Sequence, residues 1–313
     1  MTSNLKRKRL LWLDVAKGMA IILVVLGHSA LPPVLNRLIF AFHMPFFFLA
    51  SGYSSVFDKY CLEDYMKRKV KVLLFPFLIY SFINLLLQPY VSDMSYQEYW
   101  MQFLELGWLG VPLWFIPVLF LALLIAKMFF MINNRKLRFV LFLLLPFMSI
   151  SLRYTNIWLP WNLSVVPYAA FLIVLGNYLA CITIRSNKYK NTKSQLLVMI
   201  LCFLVTATIS YYWKLDMCWN NILPFLPLLI GALAGTAFLS LLAILIDKHS
   251  TSISRVLQSV GKETYLILAF AEIIIVYLNY FFELNSFIKY ILLIIILFVL
   301  CQIKNVAIRI VNK

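Results

Sequence analysis

The chain has 313 residues, of which 63% are hydrophobic and only 13% are charged, and its mean hydropathy is +0.90. These values exclude an ordinary soluble domain, in which about a quarter of the residues are charged. The formal charge of +16 would suit nucleic acid. However, the basic residues lie between apolar segments and not in one patch, so we expect no nucleic-acid partner.

Apolar segments long enough to cross about 30 Å of hydrocarbon recur along the whole chain. They are continuous and do not alternate with polar residues, which predicts helices. No hydrophilic stretch is long enough for a second domain, so we expect residues 1–313 to form one all-α, polytopic transmembrane helical bundle. The ten predicted spans are 10–31, 38–56, 71–88, 111–131, 138–152, 163–183, 194–213, 221–246, 262–282 and 286–304.

The positively charged side chains predict how these spans are oriented. Of the 28 Lys and Arg residues, 23 fall at the chain ends and in the loops on one side, and four fall on the other side. Because basic loops remain in the cytoplasm, both termini are predicted to be cytoplasmic, on a face that attracts anionic membrane lipid. The first apolar stretch follows a basic run, as in a signal peptide. Asp14 and Lys17 interrupt it and no small-residue cleavage site follows, so we expect it to be retained.

Three ionisable side chains share one face of span 1. Lys17 and His28 are eleven residues apart, which at about 100° per residue returns His28 to within roughly 20° of Lys17. On the same count, Asp14 lies about 40° from His28. Ionisable groups are costly inside a bilayer and are usually kept for a site, a proton path or a buried pair. This stripe is therefore the first candidate functional site.

Other candidates lie near the predicted outer ends of the spans. His43 stands near the outer end of span 2, where Pro45 predicts a kink. It orients His28, contacts an acceptor, or is a buried core histidine. Arg153 is a lone outer cation that could bind an acidic sugar or a lipid diphosphate. Seven of the eight tryptophans, including Trp161, are predicted on this side, where they either form an interfacial belt or stack on a saccharide.

Six blocks of this sequence, in order, resemble those of the acyltransferase-3 family of integral membrane acyltransferases. They are LDVAKGMAIILVVLGHS, FHMPFFFLASGY, the basic run ending in FPF, LWFIPVLF, LPWNL with LGNYL, and VGKETYLILAF. Within the family, the sequence is most similar to the branch described as fucose 4-O-acetylase-like. The resemblance implies that an acyl group, commonly acetyl from acetyl-CoA, is transferred to a hydroxyl of a surface glycan or lipid-linked saccharide. It also implies a multi-pass protein of the bacterial cytoplasmic (inner) membrane.

The resemblance places His28 at the family's essential histidine and Lys17 at its basic position, which is often Arg. A histidine there acts either as a general base, typically contributing about 10²–10⁴-fold, or as the acceptor of an acyl-histidine intermediate. Lys17 would meet a CoA phosphate or the pantetheine arm, and Asp14 would orient Lys17 or balance its charge. The alternative is an Asp14–Lys17 pair within the helix and a structural His28. The final block lacks the histidine that relatives often carry, so it receives no catalytic role.

The acyl donor would approach from the cytoplasmic face. Arg68, Lys69 and Lys71 are clustered there and would grip the CoA phosphates, although the topology alone also explains basic residues at this position. Acetyl-CoA is then a co-substrate, and we expect no bound cofactor. The five cysteines are dispersed without a C-x-x-C pair, so no metal site is predicted. The rival function is a transporter of a small solute or glycan precursor, with Asp14, Lys17 and His28 as an intramembrane relay.

Overall fold

The computed structural model describes residues 9–28, 31–87, 95–106, 111–157, 159–185, 192–282 and 286–311. These residues form an all-α polytopic helical bundle, as predicted, and contain no β-strand beyond an isolated bridge between Asp216 and Asn221. Its α-helices are α1 Leu11–Gly27, α2 Pro33–Phe40, α3 His43–Ser54, α4 Leu62–Lys69, α5 Phe75–Leu87, α6 Tyr96–Leu106, α7 Phe115–Met131, α8 Arg135–Tyr154, α9 Val166–Arg185, α10 Thr192–Tyr212, α11 Phe225–His249, α12 Thr251–Lys262, α13 Thr264–Phe281 and α14 Ser286–Val311.

Eight helical segments of the described chain are long and apolar enough to cross a membrane, and each overlaps one of the predicted spans 2 to 9. They are Pro33–Ser54, Leu62–Leu87, Pro112–Met131, Arg135–Tyr154, Pro160–Ile182, Lys193–Tyr212, Phe225–His249 and Thr264–Phe281. The regions of predicted spans 1 and 10 are also helical, forming α1 with 17 residues and α14 with 26 residues.

Spans 2 and 3 begin well before the residues that the sequence predicts. Span 2 begins at Pro33 and is broken at Phe42 into α2 and α3. The break comes just before Pro45, which cannot donate a backbone hydrogen bond to the preceding turn. Span 3 begins at Leu62, because α4 continues through a π-helical turn, Val70–Leu74, into α5. The break in span 2 brings the end of α2 beside the start of α3.

The centre of the bundle is formed by α3, α7 and α9. A β-carbon on Gly52 would overlap the backbone of Ile173, and a β-carbon on Gly176 would overlap the backbone of Leu49. These two glycines therefore let α3 and α9 pack backbone to backbone. α7 is buried along most of its length, whereas α8 and α10 expose most of their side chains.

The first helix, α1, is held differently at its two ends. Its N-terminal half packs against α12, where a β-carbon on Gly18 would overlap the Leu257 carbonyl and one on Gly261 would overlap the Asp14 carbonyl. Its C-terminal end borders a cavity beside α2 and the loop that joins α10 to α11. One end of the stripe is therefore tightly packed and the other is open.

Candidate active site

The C-terminal end of α1 opens onto a cavity of about 290 Å³, hereafter the histidine cavity. His28 caps α1 and lines this cavity. Among the described residues, its imidazole accepts and donates no hydrogen bond, so neither ring nitrogen is committed to a protein partner. In the neutral imidazole one nitrogen can therefore accept a proton, and the N–H of the other can donate to a ligand.

A second histidine reaches the same cavity through the break between α2 and α3. Phe40 ends α2 and His43 begins α3, and their ring centroids are 4.8 Å apart. The Phe40 ring also lies 5.9 Å from the ring of His28. His43 is 2% exposed, and its Nδ1 donates to the Ile39 carbonyl at 2.8 Å. This hydrogen bond defines the tautomer of His43 and leaves a lone pair on Nε2.

The loop between α10 and α11 provides a charged wall of the histidine cavity. Lys214 and Asp216 alternate with Leu215 and Met217, which are almost completely buried. Two backbone hydrogen bonds between Asp216 and Asn221, of 2.8 and 3.0 Å, close the turn. The buried side chains anchor the loop to the bundle, which leaves its two charged groups at the cavity.

Two asparagines from this region hold the loop in place. Asn162 Nδ2 donates to the Cys218 carbonyl at 2.6 Å, and Asn220 Nδ2 donates to the Ser149 carbonyl at 3.0 Å. Both have a left-handed backbone, with φ of 55° and 48°, which asparagine tolerates better than most residues. Burial, and secondarily the charge of Asp216, raises the pKa of the Cys218 thiol to about 12. The thiol in this wall therefore stays protonated at neutral pH.

The charged groups at the cavity form a salt bridge. Lys214 Nζ lies 3.2 Å from the Asp216 carboxylate and 4.8 Å from the centroid of the Phe40 ring. The Asp216 side chain is 13% exposed and the Lys214 side chain 43%, so the carboxylate is the more deeply placed charge. Both charges act on the imidazole of His28. A nearby carboxylate stabilises the imidazolium that forms when a histidine takes up a proton.

Sequence reasoning missed Lys214, Asp216 and Phe40 as parts of this site. In the sequence, Lys214 is only one of the four basic residues on the predicted outer side. A Lys-x-Asp pair in an outer loop with few charges was the available signal. However, no local pattern connects that loop to His28, and nothing in the sequence distinguishes Phe40 from the other phenylalanines.

The other members of the stripe lie towards the opposite end of α1, with Lys17 at a rise of about 16 Å and Asp14 at about 21 Å from His28. Asp14 is 7% exposed and pairs with Arg9, whose Nε lies 2.6 Å from the carboxylate. Lys17 is half-buried and feels the charge of Asp14, but it forms no ion pair with the described residues. The Asp14–Lys17 pair considered from the sequence is thus replaced by an Asp14–Arg9 pair, because Arg9 precedes the helix and its long side chain reaches over the first turn.

Two predicted acceptor residues do not line the histidine cavity. The Trp161 ring packs against Phe103 at 5.6 Å, and its Nε1 donates to the Leu104 carbonyl at 3.2 Å. Trp161 therefore joins α6 to the 3₁₀ turn Pro160–Val165. Arg153, in the last turn of α8, lines a second and smaller cavity.

The predicted donor-binding residues lie on α4 and the π-helical turn. The Arg68 guanidinium carbon is 4.2 Å from the ring centroid of Tyr60, Lys69 Nζ is 5.3 Å from that of Tyr65, and Lys71 is exposed. α4 packs against α7, whereas the N-terminal half of α1 packs against α12. The basic cluster therefore lies on the α4–α7 pair of packed helices, and Lys17 lies on the α1–α12 pair. Within the described part of the chain, no group of three or more His, Cys, Asp or Glu side chains is arranged to hold a metal ion.

Comparison with known families gives this arrangement a chemical context. Residues 10–305 match the acyltransferase domain of the acyltransferase-3 family. The chain belongs to the acyltransferase-3 family. It is accordingly a membrane acyltransferase, and the match takes in every residue of the histidine cavity and the whole of α1. No curated protein and no solved structure matches the chain significantly.

The family match does not distinguish branches within the acyltransferase-3 family. The fucose 4-O-acetylase-like branch therefore stays a prediction from the sequence. The roles of individual residues in this acyltransferase are likewise argued from their geometry, because the match identifies a domain and assigns no residue a function.

Proposed function

We propose that this acyltransferase moves an acetyl group from acetyl-CoA to a hydroxyl of a surface glycan or lipid-linked saccharide, with His28 as the reacting histidine. One observation carries the proposal: an imidazole with no hydrogen-bond partner among the described residues lines a cavity that also holds the carboxylate of Asp216. A sugar hydroxyl is a poor nucleophile at neutral pH and needs such a base.

In direct transfer, His28 accepts the proton of the acceptor hydroxyl while the oxygen of that hydroxyl attacks the thioester carbonyl. The C–O bond forms, the C–S bond breaks, and the proton passes from the imidazolium to the departing CoA thiolate. Asp216 stabilises the imidazolium, since its charge acts on His28. In the alternative route, an imidazole nitrogen of His28 attacks the thioester, so that an N–C bond forms while the C–S bond breaks and CoA leaves as the thiolate. The acceptor hydroxyl then attacks the acyl-imidazole, the C–O bond forms while the N–C bond breaks, and the hydroxyl proton passes to the released imidazole.

The donor would approach from the predicted cytoplasmic side, along the N-terminal half of α1. The Lys17 ammonium lacks an ion-pair partner among the described residues and suits a phosphate or the pantetheine arm. Arg68, Lys69 and Lys71 form a second cationic region for the CoA phosphates. The acceptor would enter from the membrane or the outer side. We propose the bacterial cytoplasmic membrane as the location of this multi-pass enzyme.

The test is acetyl transfer from labelled acetyl-CoA to endogenous glycan, in membranes with and without the protein, with mass spectrometry of the glycan. We expect label in the glycan only when the protein is present, and none with His28→Ala. His249→Ala is the matched control, because His249 is exposed at the end of α11 and should retain transfer. Transport of a solute without acyl transfer, or transfer that survives His28→Ala, would contradict the proposal.

A further inference from the structure

A second cavity of about 230 Å³ adjoins the histidine cavity. Trp219 lines both cavities, and Arg153, Asn156, Ser164 and Asn220 line only the second one, hereafter the arginine cavity. Each cavity is below or near the lower end of the range of about 300–1,000 Å³ usual for ligand pockets. An acceptor longer than one sugar would therefore extend across Trp219 from one cavity into the other.

The two cavities differ in charge. In the histidine cavity, Lys214 is neutralised by Asp216 at 3.2 Å. In the arginine cavity, Arg153 is the one charged side chain among the described lining residues. Arg153 forms no ion pair or side-chain hydrogen bond within the described part of the chain. An uncompensated guanidinium is suited to a carboxylate or a phosphate, which it binds with two parallel hydrogen bonds.

A buried amide beside Arg153 is also incompletely satisfied. Asn220 is 4% exposed, and its Nδ2 donates a hydrogen bond to the Ser149 carbonyl. Its Oδ1 has no hydrogen-bond partner among the described residues. Buried polar atoms are nearly always paired in native proteins, and Asn220 is a lining residue of the arginine cavity, so a ligand donor in this cavity would satisfy the unpaired acceptor. A sugar hydroxyl supplies such a donor.

We propose that the arginine cavity binds an anionic group, a carboxylate or a phosphate, carried by the saccharide acceptor next to the sugar that reacts at His28. This inference rests on the proposed function, because it concerns the acceptor of the same reaction. Arg153 pairs with the anion, Asn220 accepts from a hydroxyl, and the Trp219 indole lies between the two sugar positions. Indole rings present a large apolar face, which suits the C–H face of a sugar.

The test measures binding and not turnover, so it is independent of acyl transfer. The full-length protein, in nanodiscs of neutral lipid at low salt, is titrated calorimetrically with methyl glucuronide, glucose 1-phosphate and methyl glucoside. Neutral lipid removes competing surface charge. We expect at least one anionic sugar to bind about tenfold more tightly than the glucoside, which is the size of one charge-assisted hydrogen bond. A preference for the glucuronide indicates a uronic-acid acceptor, and a preference for the phosphate indicates a phosphorylated one.

Two variants and a control attribute this preference to the cavity. Arg153→Gln should bring the anionic sugars to the affinity of the glucoside. Asn156→Asp should also reduce the preference, because the new carboxylate competes for the guanidinium and aspartate tolerates the left-handed backbone at that position, φ 51°. Arg37→Gln removes the same charge from an exposed residue outside both cavities and should change nothing.

The proposal is overturned if the wild type binds neither anionic sugar, binds all three equally, or keeps its preference after Arg153→Gln. These outcomes differ from failure of the proposed function, which is seen as loss of acetyl transfer with every acceptor. An enzyme that transfers acetyl in a His28-dependent way but shows no anion preference would retain the function and lose this subsite.

Discussion

The two ends of α1 carry similar ionisable residues but are packed in opposite ways. At the N-terminal end, Gly18 and Gly261 let α1 and α12 meet backbone to backbone, and Asp14 is closed off by its pair with Arg9. At the C-terminal end, His28 faces a cavity with charged walls. Asp14 therefore belongs to a packed structural pair and His28 to a site, and the space around each group separates the two cases. Lys17 differs from both, because it is half-buried but has no ion-pair partner among the described residues.

The largest expected effect at the C-terminal end of α1 is on the rate at which the Cys218 thiol is alkylated. Cys218 lies in the cavity wall, where burial raises its pKa to about 12. At pH 8 only about 10⁻⁴ of such a thiol is ionised, so we expect alkylation by a permeant maleimide about a thousandfold slower than for a free thiol of ordinary pKa. The rate should rise about tenfold per pH unit up to pH 10, because the thiolate fraction does so below the pKa. Peptide mass spectrometry would identify the labelled cysteines.

Cys61 serves as the internal reference for this measurement, since it is exposed just before α4. It should be labelled readily by the permeant reagent, and Cys61→Ser should remove that signal. In intact cells an impermeant maleimide should not reach it, because the predicted topology places it in the cytoplasm. Rapid labelling of Cys218 in the folded protein would mean that the cavity wall opens freely.

The next largest effect is on the free energy of unfolding, and it differs between two glycines of α1. Gly18→Ala should lower the free energy of unfolding by about 2 kcal/mol, because the new β-carbon overlaps the carbonyl of Leu257, which is backbone and cannot move aside locally. Gly27→Ala meets only side-chain atoms of Ile39 and Phe40, at 3.2 and 3.4 Å. A gain in helix propensity of up to about 1 kcal/mol should largely offset that contact.

Thermal unfolding of the purified variants in detergent would measure the difference between the two glycines. We expect a clear drop in the unfolding temperature for Gly18→Ala and little change for Gly27→Ala. Equal drops would show that the C-terminal end of α1 is packed as tightly as the N-terminal half.

The smallest expected effects are on the kinetic constants, and they distinguish the residues proposed to bind acetyl-CoA from those proposed to act at His28. Lys17→Gln should raise the KM for acetyl-CoA about tenfold and leave the KM for the acceptor unchanged, since Lys17 is proposed to meet the donor. Asp216→Asn should lower kcat about tenfold, because it removes the charge that stabilises the imidazolium of His28, a change of roughly 1.4 kcal/mol. Initial rates with each substrate varied in turn would measure both variants.

Lys248→Gln is the matched control for this kinetic comparison, because Lys248 is exposed near the end of α11 and belongs to neither end of α1. It should leave both constants unchanged. If Lys17→Gln and Asp216→Asn altered the same constant by the same factor, the assignment of one substrate to each end of the helix would be wrong.

The amino-acid sequence alone predicts the membrane class of this protein and the helical regions of its ten predicted spans, because hydrophobicity and helical periodicity are local properties. It also placed Asp14, Lys17 and His28 on one face of α1, since the angle per residue is constant along a helix. The order of six motif blocks pointed to the family that the match over residues 10–305 then showed.

The groups that surround His28 follow from the packing of segments that are distant in the chain. Phe40, Lys214 and Asp216 reach the histidine cavity because α2 breaks before α3 and because the loop before α11 is anchored by buried side chains. Asp14 pairs with Arg9, and Trp161 is used in packing. These outcomes depend on contacts between segments distant in the chain, and the pattern within any one segment carries no information about which distant segment it will touch.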